Sequence, residues 1–192
     1  ATLNERIWQS DEYIDDGAFR DSALASIDLA EASALASVGD YAFEDTQLTS
    51  VTVPVAVEYG RNVFNTATLK SLTIEVSGEI SALPTGSKAK LETLTFTGSA
   101  PTTIADFKAS EKFILNSADT FTVIFNPGMT YIGDNAFREI EGLAVEFNDG
   151  LTGIGASAFS DSVFASAFEL PDSLETVGAS AFRNAVIPGE LI

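Results

Sequence analysis

The sequence predicts a right-handed solenoid of stacked coils, mainly β with short helical turns, with a period of about 22–24 residues. Three observations carry this reading. A self-similar string returns along the chain: FELPDSLETVGASAF at 168–182, VEFNDGLTGIGASAF at 145–159 and VIFNPGMTYIGDNAF at 123–137. Shorter copies stand at 35–43 and 14–19, with a decayed one at 51–64. The phenylalanines that close these strings are evenly spaced, 24 residues from Phe19 to Phe43, 21 on to Phe64, 22 from Phe137 to Phe159 and 23 on to Phe182. Apolar residues also alternate at the start of each unit.

That alternating run is the first half of a coil. Leu48, Val51 and Val53 form one run, Leu69, Leu72 and Ile74 a second, and Leu91, Leu94 and Phe96 a third. A period of two means a strand with one face buried. Turn residues come next, Asn148-Asp149-Gly150 in one unit and Pro171-Asp172-Ser173 in another. The second half places apolar residues three apart, Leu174 and Val177, before Gly178 and the pair Ala181-Phe182. Glycine is expected here for its conformational freedom at a tight corner. Alanine lets neighbouring coils approach, and phenylalanine fills the interior.

One such unit cannot bury its apolar side, but stacked units can, with like positions aligned into ladders. The expected ladders are Phe19, Phe43, Phe64, Phe137, Phe159 and Phe182, and Ile27, Val51, Leu72, Leu94, Val123, Val145 and Phe168. A chain with 14 Phe against 4 Tyr and 1 Trp fits rings used as core filler. Seven or eight coils are expected in a single array over 1–192, with a cap or partial repeat at 1–13. The 73 residues between Phe64 and Phe137 keep strand-like runs and lose the Ala-Phe half, so 98–120 reads as an irregular insertion or divergent repeat.

Leu170, Pro171, Leu174, Val177, Gly178, Ala181 and Phe182 fall on the pattern Leu-x-x-Ile-x-Ile-Pro-x-x-Val-x-x-Ile-Gly-x-x-Ala-Phe. On these residues the chain resembles the BspA-type leucine-rich repeat family. Two further copies lie in 123–159, with Asn126 and Asn148 in place of proline. The likeness is strong over 120–187, good over 14–64 and weak over 76–119. Family repeats often carry cysteine shortly after Ala-Phe, where this chain has Asp21, Asp45, Ile140, Asp161 and Asn184. The resemblance implies a leucine-rich-repeat solenoid in an extracellular or cell-surface setting. It also implies adhesion to a protein or glycan ligand on another cell or matrix.

Composition narrows the chemistry. The net charge of −18, from 28 acidic and 10 basic residues, repels polyanions, so nucleic acid and anionic membranes are poor partners. Without cysteine or histidine there are no disulfides, thiolate or imidazole metal ligands, or Cys and His nucleophile systems. No run of ~18 apolar residues is available to span a membrane as a helix. The opening ATLNER has neither the basic start nor the apolar core of a signal peptide. Asp11, Glu12, Asp15 and Asp16 cluster without a calcium-binding loop and read as a solvated acidic cap. No phosphate loop, nucleophile elbow or paired catalytic carboxylates stand out, so no catalytic residue, metal ligand or cofactor is assigned.

The outward strand positions are the candidate binding face: Ser50, Thr52, Ser71, Thr73, Thr93, Thr95, Thr122, Ile124, Glu146 and Glu169, flanked by Ser26, Asp28, Ala144 and Ala167. Threonine also favours strands for itself, so a spacer without a ligand, or a Thr-row binder of ice or polysaccharide, are the alternatives. The open repeat ends leave a route to oligomers.

Overall fold

The computed structural model describes residues 12–32, 34–76, 78–80, 83–98, 102–105, 113–115 and 120–189. Within them the strands pair in parallel, coil on coil. The principal sheet runs in the order β15 (Val163–Phe164), β13 (Glu141–Glu146), β11 (Phe121–Ile124), β8 (Thr93–Thr97), β5 (Ser71–Glu75), β3 (Ser50–Pro54). Single bridges extend it, Asp28 to Thr52 at one end and Val163 to Val186 at the other. Six strands therefore stand where seven or eight coils are expected, and each outermost coil adds one bridge.

A second parallel sheet joins β16 (Thr176–Val177), β14 (Gly153–Ile154), β12 (Met129–Ile132), β9 (Thr102–Ile104) and β6 (Glu79–Ile80). Nearer the start of the chain, β1 (Tyr13–Ile14), β2 (Ser37–Val38) and β4 (Glu58–Tyr59) form a three-stranded sheet. The last pair is β7 (Gly86–Leu91) with β10 (Phe113–Leu115).

The alternation seen in sequence is the burial pattern. Val51, Leu72, Leu94, Val123 and Val145 face each other in register and are buried, while their neighbours point outward. Phe168 departs from this ladder. β15 sets Phe164 against Leu143 and then leaves the sheet, and Phe168 packs edge-on against Phe147 with ring centroids 5.3 Å apart. It thereby ends a second aromatic column, Phe96, Phe125, Phe147, Phe168, with spacings of 5.9 and 6.1 Å between its first three rings.

The expected phenylalanine ladder stacks with centroids 5.2 Å apart for Phe19–Phe43, 5.4 Å for Phe43–Phe64, 5.6 Å for Phe137–Phe159 and 5.2 Å for Phe159–Phe182. The backbone at Thr85–Gly86 covers Phe64: the Phe64 amide donates to the Thr85 carbonyl at 3.0 Å, and a Cβ on Gly86 would strike the Phe64 carbonyl. Beyond this point the second column takes over the filling. Edge contacts of 5.8 Å, Phe125–Phe137 and Phe147–Phe159, tie the two columns together. One apolar cluster runs from Ile14 to Ala181.

The corners are not helical. Among the described residues no helix forms, and the Gly-x-x-Ala-Phe segments are chained turns. Alternate amides donate to the next coil: Tyr41 to Arg61, Phe43 to Val63, Asn135 to Ala156, Phe137 to Ala158, Ser157 to Ala179 and Phe159 to Ala181, all within 2.8–3.0 Å. The amides between them close local turns, such as Ser160 to Ser157. A helix would direct every amide back along its own axis. Here alternate amides must point sideways, and two residues take left-handed backbone in most arcs, such as Ser157 (φ 55°) and Asp161 (φ 60°), with Asn62 (φ 50°) alone in the arc of Phe64.

The recurring corner glycines also have a different role from the one expected. Gly60, Gly155 and Gly178 do not have positive φ. They are needed for room: a Cβ would lie 2.5 Å from Asp40 Oδ1 at Gly60, 2.6 Å from the Asp134 nitrogen at Gly155 and 2.5 Å from the Ala156 nitrogen at Gly178.

Of the 98–120 segment, the described residues include two strands. β9 sits in the second sheet, pairing with β6 and β12 as an ordinary coil would. The chain makes its excursion after β9, where β10 pairs with β7 outside both large sheets. Residues 1–11 of the expected cap, Asp11 included, lie outside the described residues.

Two measurements check this packing. Phe159 is fully buried between Phe137 and Phe182, so Phe159→Ala should lower unfolding free energy by about 3–5 kcal/mol in denaturant titrations. A shift near zero would mean that the ring is not internal. Gly155→Ala should cost about 1–3 kcal/mol by overpacking, whereas Ser157→Gly, two residues on, should be neutral or stabilising because glycine accepts left-handed backbone.

Candidate functional site

The two sides of the coil use their polar groups differently. On the arc side they hold coils together. Asp16 Oδ1 accepts the Asp40 amide at 2.7 Å, Asp40 Oδ1 accepts the Arg61 amide at 2.7 Å, and Asp134 Oδ1 accepts the Ala156 amide at 2.6 Å. Asn148 Nδ2 donates to the Pro127 and Met129 carbonyls, and Asn184 Nδ2 donates to Asp161. Asn148-Asp149-Gly150 is thus a structural turn, with Asn148 bonded to the coil before it.

The sheet side differs. Register aligns Ser50, Ser71, Thr93, Thr122 and Ala144 in one row. A second row aligns Asp28, Thr52, Thr73, Thr95, Ile124 and Glu146. Adjacent members lie one strand spacing apart, about 4.8 Å. The side chains of Thr52, Thr73, Thr95, Ser50, Ser71, Thr93, Thr122 and Glu146 make no hydrogen bond or ion pair with other described residues. They are set by the strand backbone and left uncommitted. Nine of the ten sequence-predicted site residues therefore share this surface.

Glu169 does not join it. The chain leaves the sheet after Phe164, so Ala167 and Glu169 are on a non-strand segment. The alternation around Phe168 imitates a strand because Phe168 is buried by the aromatic column. Departure of this segment opens two adjoining grooves at the end of the face. One, of about 660 Å³, is lined by Glu146, Phe147, Asp149, Phe168, Glu169 and Asp172 among others. The other, of about 490 Å³, lies over Thr122, Ile124, Ala144 and Glu146. Phe147, Asp149 and Asp172 shape this surface without having been picked out by the strand alternation. The signals for them in the sequence are the near-repeat spacing of Phe125, Phe147 and Phe168 and the aligned turns Asn148-Asp149-Gly150 and Pro171-Asp172-Ser173.

Among the described residues no group of three or more acidic residues is arranged to hold a metal ion, and no helix is long and apolar enough to cross a membrane. The arcs also carry ion pairs, among them Arg20–Glu44 and Arg61–Asp40, both at 2.8 Å. The Arg61 backbone amide, then its guanidinium at 2.8 Å, holds the Asp40 carboxyl below its ordinary value.

This architecture defines a class: a parallel-β repeat protein that commits its arcs to coil-to-coil cohesion and leaves one sheet face free. The BspA type leucine rich repeat region, in six copies, matches residues 4–107 and 110–187, and the chain belongs to that family. Among solved structures it is similar to a leucine-rich repeat protein from Bacteroides ovatus, at 17% identity and a TM-score of 0.31, covering 90% of this chain and 68% of the other. No curated protein matches.

The Asp40 contact predicts a pH dependence. Because its folded value is depressed, its contribution is complete above the ordinary carboxyl value of 3.8 and is lost as pH falls through the lower folded value. Asp40→Asn retains an oxygen acceptor but not the charge. Its stability deficit against the parent, measured by denaturant titration, should be present near pH 7 and shrink toward about pH 3. A deficit independent of pH would show that the charge is not the stabilising element.

Proposed function

We propose that this chain is a non-catalytic binding module, a single repeat array that engages a protein or glycan partner through the strand face of its solenoid. One observation carries the reading: a parallel sheet presents two in-register rows whose outward Ser and Thr side chains, from Ser50 to Thr122, make no hydrogen bond with other described residues. A side chain fixed by its strand yet free of intramolecular bonds loses little entropy on binding. Family membership supports a repeat-based interaction role. Proteins of this family are generally surface-exposed or secreted, which favours an extracellular or cell-surface setting and a partner on another cell or matrix.

The experiment is an array of purified matrix proteins and glycans probed with the intact chain. Thr52→Lys, Thr73→Lys and Thr95→Lys combined should preserve the melting temperature and weaken binding of any captured partner by about tenfold or more, since bulky charges disrupt complementarity across neighbouring strands. The matched control is Ala18→Lys, Ala67→Lys and Ala179→Lys, which adds the same charge at exposed positions away from the strand face. Loss of binding in the control alone would overturn the assignment. Failure to capture any partner would favour a spacer.

A further inference from the structure

We propose that the groove at the end of the strand face binds an extended polypeptide segment in which lysine or arginine alternates with apolar residues. The proposal rests on the strand-face reading above and narrows it to a partner class and to one end of the sheet.

The groove exists because β15 is short. β13 runs on to Glu146, but its pairing with β15 ends at Leu143 and Phe164. The next amide, Ala165, donates to the Leu143 carbonyl at 2.8 Å, and the chain then swings away through 166–170. The last residues of β13 have no strand partner on that side. An extended chain is the occupant that such an edge accepts, as in recognition by strand addition.

The lining states what side chains that segment should carry. Phe147 and Phe168 supply apolar lining to the larger groove, and Ile124, 47% exposed, lines the adjoining one. Four carboxylates, Glu146, Asp149, Glu169 and Asp172, line the larger groove, and among the described residues no basic one lines either groove. None of the four makes an ion pair with another described residue. Residues 120–182 contain nine acidic residues and one basic one, Arg138. Arg138 is engaged with Glu139 and Asp161 at 3.1 and 3.5 Å. These four exposed carboxylates beside Phe147 and Phe168 are therefore unpaired among the described residues. A segment with period two meets both demands, because alternate side chains point down and up. Like-charge repulsion excludes acidic peptides and sulfated or uronic glycans.

The probe is a short synthetic peptide alternating lysine with valine, titrated calorimetrically against the intact chain at ~0.15 M salt, where long-range attraction is screened. Its glutamate–valine counterpart is the negative probe. Combined Glu146→Gln, Asp149→Asn, Glu169→Gln and Asp172→Asn should weaken the lysine peptide about tenfold or more. Removing the same charge elsewhere, with Asp15→Asn, Glu31→Gln, Glu58→Gln and Glu75→Gln, should change it less than about threefold. Ile124→Ser should weaken it as well, at unchanged charge. Equal losses in the two charge-removal sets would reduce the effect to net charge and overturn the proposal, as would absence of binding. The strand-face reading is tested separately: an array partner lost with the Thr52, Thr73 and Thr95 set, but insensitive to the groove set, would sustain the face while overturning the groove.

Discussion

In the arcs that begin at Gly17, Gly39, Gly133 and Gly155, alternate amides donate sideways to carbonyls of the next coil, at the place where the chain must also reverse direction. The arc meets both demands with left-handed residues four apart, among them Tyr41 and Asp45, Asn135 and Glu139, and Ser157 and Asp161. It also requires a position without a side chain where one coil's backbone passes another, at Gly60, Gly155 and Gly178. Coil spacing is thereby set by backbone bonding. The phenylalanine rings, the strand ladders and the outward rows inherit that spacing.

The aromatic interior depends on the same spacing. Rings repeated at the coil rise must either stack or find an edge contact, and both occur. Phe43 stacks on its neighbours at 5.2 and 5.4 Å, while Phe147 meets Phe159 edge-on at 5.8 Å. Offset and edge contacts suit the charge distribution of the rings. The second column lets the fold survive the central stretch where Ala-Phe is missing, because Phe96 and Phe125 continue the filling from the strand side. Interruption of one ladder is tolerable in a repeat protein, since each coil depends chiefly on its neighbours.

The same geometry separates the bonded arcs from the outward strand rows. Arc polar groups are consumed by neighbouring coils: Asp134 by the Ala156 amide, Asp40 by Arg61. The outward side chains of Ser50, Thr52, Ser71, Thr73, Thr93, Thr95 and Thr122 make no such bond with other described residues and are held in rows. Where the last strand stops early, the rows end in a trough lined by Phe147, Phe168 and four carboxylates. The boundary of the sheet thus creates a more distinctive surface than its regular middle.

Much of this was legible from spacing alone. Period-two runs identified the strands, and the return of Ala-Phe identified the first ring column, because burial demands that apolar residues recur with the coil. The same alternation pointed to all ten candidate surface residues, nine of which share the sheet face. Other features depend on which chain segment lies beside which. The glycine at each corner reads as flexible in sequence, and only the neighbouring coil shows that it is required for clearance. The short Gly-x-x-Ala-Phe segments resemble helical turns in spacing, but their amides are taken by the next coil, which a single unit cannot reveal. Glu169 sits in a convincing alternation, yet Phe168 is drawn into the aromatic column and the strand ends before it. Sequence determined the period, the strand faces and the residues that fill the core. Tertiary structure decided the register at the ends, the conformation of the corners and the position of the groove, because each depends on contacts between residues about one coil apart.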